Sequence, residues 1–355
     1  MSHGFRKSIY TLLIFGHGFL GCRSKQDVAP VPLSRYIIAS GISTANLSTY
    51  DLQSGTLIDP LYTDNSVSYR RFISNGGKLY CQGQANTVKI FDELTLALIQ
   101  TIPLPPNSQI LDVVSNKLVL ATSTNYVVNF VPATVYLLKF LHLDNVSIVD
   151  SIYSGGRFDG QIIGAISAKG NVAYIKGMDQ SIIRIISSSD YSIAKDVSLP
   201  AGNAGFSHLL TDKDEKHLLA FSGATIFGIN TVDFSVGPGK RYLPLDYQPY
   251  GLVGIDVSSN VVYSPAFAPN SAVPELVTYN MSTDLIQKFP INSMPPYSTI
   301  SCIAVDASAK LIIVGIQVND NPGSHGLILL FDQAGKVVHS FTMAFPPLRI
   351  FVAQE

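Results

Sequence analysis

Residues 75–92 read Asn75-Gly76-Gly77-Lys78-Leu79-Tyr80-Cys81-Gln82-Gly83-Gln84-Ala85-Asn86-Thr87-Val88-Lys89-Ile90-Phe91-Asp92. Asn-Gly-Gly is a tight-turn signal, and the turn leads into a short apolar run opened by a basic residue. A second apolar run follows and stops at a small polar residue, Asp92. A third, Leu98 to Leu104, comes after it. Runs this short, rich in Val, Ile, Leu and Tyr and bounded by Gly, Asn and Ser, read as β-strands.

The same layout recurs along the chain. The first landmark is seen at Arg35-Tyr-Ile-Ile, Lys78-Leu-Tyr-Cys, Lys117-Leu-Val-Leu, Asn171-Val-Ala-Tyr, Lys216-His-Leu-Leu, Asn260-Val-Val-Tyr and Lys310-Leu-Ile-Ile, at intervals of 43, 39, 54, 45, 44 and 50 residues. The second is seen at Tyr50-Asp51, Phe91-Asp92, Leu143-Asp144, Ile186-Ser187, Ile229-Asn230, Tyr279-Asn280 and Phe331-Asp332. Four strands in a unit of this length are the signature of a β-propeller blade. The expected fold is all-β: a seven-bladed propeller of four-stranded antiparallel blades over residues 35–355. Arg35 opens a second strand with no first strand before it, while Leu348 to Ala353 (LRIFVA) is left over at the other end. That run is expected to supply the innermost strand of the first blade and close the ring, pairing edges that would otherwise lie open.

Composition narrows the function classes. Of 355 residues, 46% are hydrophobic and 14% charged, and net charge is −1. Disorder is excluded by that apolar content. A basic nucleic-acid surface has no support from 24 Lys+Arg against 25 Asp+Glu. No apolar run is long enough for a membrane-spanning helix.

Residues 1–21 read as an export signal. Arg6 and Lys7 precede an apolar stretch from Ile9 to Leu20, which is too short to span a bilayer. It ends in Phe19-Leu20-Gly21-Cys22, which resembles a bacterial lipobox, with Phe19 where an aliphatic residue is usual. The resemblance implies lipidation at Cys22 and an outer-membrane lipoprotein of the bacterial cell envelope, periplasmic or surface-exposed. Residues 22–34 then read as a flexible tether. Cys81 and Cys302 fall in strands of blades two and seven, too far apart to bridge, and are expected to be free thiols.

The repeat landmarks, among them Tyr50-Asp51-Leu-Gln-Ser-Gly55 and Phe331-Asp332-Gln-Ala-Gly335, resemble those of YVTN-type propellers in the quinoprotein amine dehydrogenase-like superfamily. Absence of Trp disfavours a WD40 assignment. With its lipobox, the layout is similar to the surface cobalamin-binding propellers of Bacteroidetes. That resemblance implies an accessory to nutrient uptake and carries no ligand motif.

Linear catalytic motifs are absent. Residues 22–355 contain no H-x-x-x-H, C-x-x-C, G-x-S-x-G, G-x-G-x-x-G or P-loop, so neither a metal nor a cofactor is expected; the Gly16-His-Gly-Phe-Leu-Gly21 match lies inside the export signal. Loops leading into the innermost strands carry aromatics instead: Tyr69 beside Arg70 and Arg71, Phe158 after Arg157, Phe206, Tyr250 and Tyr297. These are expected to ring one opening of the channel, with Arg70 and Arg157 available to a carboxylate or phosphate. The competing reading has the aromatics pinning each loop to its neighbour; Arg71 is expected to be a structural partner rather than a ligand contact. Three connections, Thr122 to Thr134, Pro265 to Glu275 and Gln317 to Gly326, are expected as long loops on that face, bearing Tyr126, Phe130, Phe267, Asn319, Asp320 and His325. The expected function is binding of a small molecule or an envelope protein partner, such as a transporter. The alternatives are a channel-centred metal-dependent lactonase or lyase, and a purely structural envelope protein.

Overall fold

The turn residues between Val/Ile-rich runs do close hairpins. The computed structural model describes residues 34–354 apart from 42–44, 65–68, 84–85, 129–130, 154–165, 169, 177–181, 199, 201–205, 213 and 321–322, and without the side chains of 69–70, 123–128, 131–136, 149–153, 166–168, 176, 206 and 354. The signal, tether and Cys22 lie outside these residues. Among the described residues there is no helix, and the strands form seven antiparallel sheets arranged as a propeller.

From the innermost strand outward, blade one is Pro347–Gln354, Ser34–Ser40, Ala45–Asp51 and Thr56–Asp64. Blade two is Tyr69–Asn75, Lys78–Gly83, Thr87–Asp92 and Leu98–Pro103. Blade three is Ser108–Val114, Lys117–Val128, Val131–His142 and Ile148–Tyr153. Blade four is Ile166–Ala168, Asn171–Lys176, Ile182–Ser187 and Ile193–Ser198. Blade five is Phe206–Thr211, His217–Ser222, Thr225–Asn230 and the two-residue Lys240–Arg241. In blade six the inner strand is split into Gln248–Pro249 and Gly254–Asp256, followed by Val261–Phe267, Pro274–Asn280 and Leu285–Pro290. The split falls at Gly251, whose φ of 90° only glycine adopts without strain. Blade seven is Ser298–Asp306, Leu311–Asp320, Gly323–Asp332 and Val337–Met343.

The leftover C-terminal run takes the expected place. Pro347–Gln354 pairs antiparallel with Ser34–Ser40, from Ser34 opposite Gln354 to Ser40 opposite Pro347. Seven apolar clusters then fill the seven spaces between consecutive blades. Two flank the composite blade. Tyr36, Ile38 and Ile350 pack with Ile313, Ile328 and Leu330 of blade seven, and Ile37, Leu47 and Ala353 pack with Leu79 and Phe91 of blade two. Cys302 and Cys81 are buried free thiols in those two clusters.

A polar contact reinforces the same seam. The Tyr36 hydroxyl donates to Asp306 Oδ2 at 3.0 Å, with both residues fully buried. Tyr36 stacks on Tyr50 at 6.1 Å and Tyr50 on Phe341 at 4.2 Å. Burial by itself would raise the Asp306 pKa. Hydrogen bonds from the Ala309 N–H and from the Ser308, Ser34 and Tyr36 hydroxyls outweigh it, so the carboxyl is held below its ordinary value.

The second landmark proves to be a turn device. Asp51, Asp92, Asn230, Asn280 and Asp332 each accept backbone N–H bonds from residues two to four positions on, an Asx-type cap on the hairpin to the outermost strand. In blade three the equivalent position is His142, not Asp144. His142 lies opposite Lys117 and its carbonyl accepts from Val146 N–H, while Asp144 accepts from Asn116.

Each of these turns also contains one residue with positive φ: Gly55, Leu96, Val146, Tyr191, Phe234, Asp284 and Gly335. For the non-glycine residues the left-handed conformation costs about 1–2 kcal/mol. Four of them offset it by burial, since Leu96, Val146, Tyr191 and Phe234 pack into inter-blade clusters.

Two outcomes are expected. Tyr36→Phe leaves the buried Asp306 one hydrogen bond short and should destabilise the fold by about 1.5–3 kcal/mol in denaturant melts. Because the native Asp306 pKa is depressed, its contribution is present above the ordinary carboxylate range and is lost as pH falls through the native value. In the variant that value rises, so acid unfolding should begin at higher pH. Leu96→Gly relieves the backbone but loses a side chain that is 5% exposed, so a net destabilisation of about 1–2 kcal/mol is expected in the same melts.

Candidate functional site

In a four-stranded meander, connections between blades and connections between the second and third strands emerge on one face. Two of the three connections expected as long loops here, in blades three and seven, are mostly paired strand, while in blade six residues 268–273 remain an unpaired loop. In blade three the ladder runs unbroken from His142 opposite Lys117 to Val131 opposite Val128. In blade seven it extends to Asp320 opposite Gly323, and in blade six to Phe267 opposite Pro274. Backbone pairing does not need apolar side chains, so the ladders continue through polar residues such as Ser123, Asn319 and Asp320, and the hairpins extend beyond the blade. Tyr126 lies on the blade-three hairpin with its side chain outside the described residues, as is all of Phe130.

The expected aromatics divide into three groups. Arg157 and Phe158 lie outside the described residues. Tyr69 and Phe206 each open an innermost strand, opposite Gly83 and Ser222, and Arg70 is the extra residue of a β-bulge between Tyr69 and Arg71; the side chains of all three lie outside the described residues. Tyr250 and Tyr297 are fully described: Tyr250 stands at the break of the blade-six inner strand and Tyr297 immediately before the inner strand of blade seven.

Tyr250 is half-buried. Its ring packs on Phe267 at 5.3 Å, and its hydroxyl accepts the Ile300 N–H at 2.9 Å. It therefore ties blade six to the inner strand of blade seven while leaving part of its surface open. Tyr297 differs. Its side chain is 88% exposed and its φ is 56°. Asn319 N–H donates to its carbonyl at 3.3 Å, fixing the loop against the blade-seven hairpin. On that hairpin Gln317 donates to Asn319 at 2.8 Å, and Asp320 lies 3.1 Å from His325 Nδ1. Leu96 and Phe234 hold a strained backbone in return for burial; Tyr297 holds one with its ring in solvent.

The opposite face carries a groove that the sequence reading missed. Gly237, Pro238 and Gly239 keep the outermost strand of blade five from forming beyond Lys240–Arg241, and Pro238 has no N–H to give. The uncovered space between blades five and six has a cavity volume of about 320 Å³, floored by Leu219, Ile226 and Gly228. At its rim the Asp212 carboxylate binds both the His217 N–H at 3.1 Å and His217 Nδ1 at 2.8 Å. Across it Lys240 pairs with Asp284 at 2.9 Å, and Tyr279 donates to the same carboxylate at 2.7 Å. The Gly-Pro-Gly run was the available signal. Among the described residues no group of three or more His, Cys, Asp or Glu gathers at metal-binding distances.

If Tyr297 is held for contact rather than for stability, Tyr297→Gly should leave the melting temperature unchanged or slightly higher, in contrast to Leu96→Gly. A clear fall in melting temperature would assign Tyr297 to the scaffold.

No protein-family model matches this chain, and no curated protein matches it; the propeller architecture rests on the structure itself.

Proposed function

We propose that the protein is a lipid-anchored propeller of the bacterial cell envelope that binds a small molecule or a protein partner on the face carrying Tyr250, Phe267 and Tyr297, without chemistry of its own. The observation that carries this reading is Tyr297: a large aromatic side chain in solvent on a left-handed backbone, beside a second aromatic pair. Exposed rigid aromatics supply contact area at low entropic cost, with a hydroxyl for orientation. The closed ring supplies the rigid scaffold beneath them. Tyr69, Arg70, Arg157, Phe158 and Phe206 belong to the same proposed opening.

The finer assignment follows from the sequence resemblances. The repeats resemble YVTN-type propellers, and the lipobox with a seven-bladed body is similar to surface cobalamin-binding propellers. The substrate class this suggests is a large amphipathic nutrient handed to an envelope transporter.

The test is retention from native envelope extract by the soluble body, residues 30–355, with cobalamin added as a defined probe and mass spectrometry of what is kept. A species retained by the wild type and lost from Tyr250→Ala and Tyr297→Ala is the expected result. Retention indifferent to both changes would move the site off this face. Cys22→Ser in the full chain should abolish incorporation of labelled palmitate in growing cells.

A further inference from the structure

The innermost strands of blades one, two, five and seven share one irregularity at a common register, whereas the bulge of blade three, at Ile110/Asp112, lies two residues further along. Each carries a β-bulge near its start: between Pro347 and Arg349 in blade one, and at Tyr69/Arg71, Phe206/His208 and Ile300/Cys302 in the other three. A bulge re-aims the residue that follows it. The residues that follow are Arg349, Arg71, His208 and Cys302. Their partners on the second strands are Ala39, Gln82, Phe221 and Gly315. Each partner stands four residues past the one that pairs with the second landmark: Arg35, Lys78, His217 and Leu311. The same count in blade three leads from Lys117 to Ala121, opposite Gln109. Register alone thus sets Arg349, Arg71, Gln109, His208 and Cys302 at one height around the propeller axis.

The side chains agree with that layer. With its amide oxygen toward Arg71, Gln109 accepts from Nε at 2.5 Å and from Nη2 at 3.1 Å. Arg349 keeps exposed surface on its innermost strand, yet the surrounding protein holds its pKa below its ordinary value, so it stands in a partly enclosed space; it makes no ion pair or hydrogen bond with the described residues. Its charge reaches across the ring. Burial first, and Arg349 second, push Arg71 down to about 10 and hold His208 below its ordinary value. Two partly desolvated guanidiniums at one height repel each other, and an anion bound between them removes that repulsion.

We propose that this layer is a binding site for a small oxyanion, phosphate or a small carboxylate, held by Arg349 and Arg71 with His208 opposite. Planar guanidiniums bind such groups through paired N–H donors. Gln109 orients Arg71, and Cys302, buried in the apolar cluster between blades seven and one, backs Arg349 from the core side. The site is independent of the exposed aromatic face, because it lies inside the ring and uses none of its residues.

The test is isothermal titration of inorganic phosphate, and separately of succinate, into the whole protein at fixed ionic strength. Saturable binding of either is expected, weakened at least tenfold by Arg349→Gln and by Arg71→Gln. Arg35→Gln, at the start of the second strand of blade one, where Arg35 donates to the Leu94 carbonyl of the blade-two outer hairpin, should leave it unchanged. Arg349→Gln should also raise the melting temperature in anion-free buffer, which shows that the variant folds and that the like-charge repulsion is gone. Absence of binding to the wild type overturns the proposal, as does binding that Arg349→Gln leaves intact. Tyr297→Ala should not alter this titration, so failure here and failure of the aromatic-face reading are separate results.

Discussion

The pairing of Pro347–Gln354 with Ser34–Ser40 is the constraint on which the rest of the structure depends. Blade packing is cyclic: each sheet buries one face against the blade before it and the other against the blade after it. Without the C-terminal strand, blade one lacks its innermost member, and Ile350 and Ala353 leave the clusters on both sides. Contacts separated by almost the whole chain must therefore form together. The buried Tyr36–Asp306 hydrogen bond has the same character, joining residues 270 apart at the same seam. A buried carboxylate is tolerated there because several donors converge on it, and it makes the seam specific as well as apolar.

Strain is distributed in the molecule according to what it accomplishes. Hairpins to the outermost strands need one left-handed residue each, and the protein fills four of these positions with hydrophobic side chains that reach the inter-blade cores. Gly55 and Gly335 serve at the positions where the turn takes a glycine. Tyr297 uses the same backbone state with no burial, on the face where extended hairpins and the Tyr250–Phe267 pair project. The bulges of blades one, two and five likewise lead to polar side chains outside the inter-blade clusters, Arg349, Arg71 and His208, whereas that of blade seven leads to the buried Cys302.

Much of the fold was legible in the repeat. Turn, basic residue, apolar run and capped second run follow from local chemistry, so they survive in sequence even where no residue is common to all copies. Blade three shows the limit: Asp144 looks like the cap, but backbone pairing puts His142 at that position. The extended hairpins were read as loops because polar residues such as Thr122 and Ser123 interrupt the apolar pattern, although backbone pairing does not require an apolar side chain. The groove between blades five and six went unread because it arises from a missing strand.

The sequence by itself determined the number of blades, the offset closure and the unpaired state of Cys81 and Cys302, because these follow from period, counting and separation along a ring. Which residues meet was decided by tertiary structure. Arg71, Gln109, His208 and Arg349 carry no shared motif and lie on four different blades, and they form one layer only because pairing register brings their strands to a common height. A one-residue shift of register would turn each of those side chains to the other face of its blade.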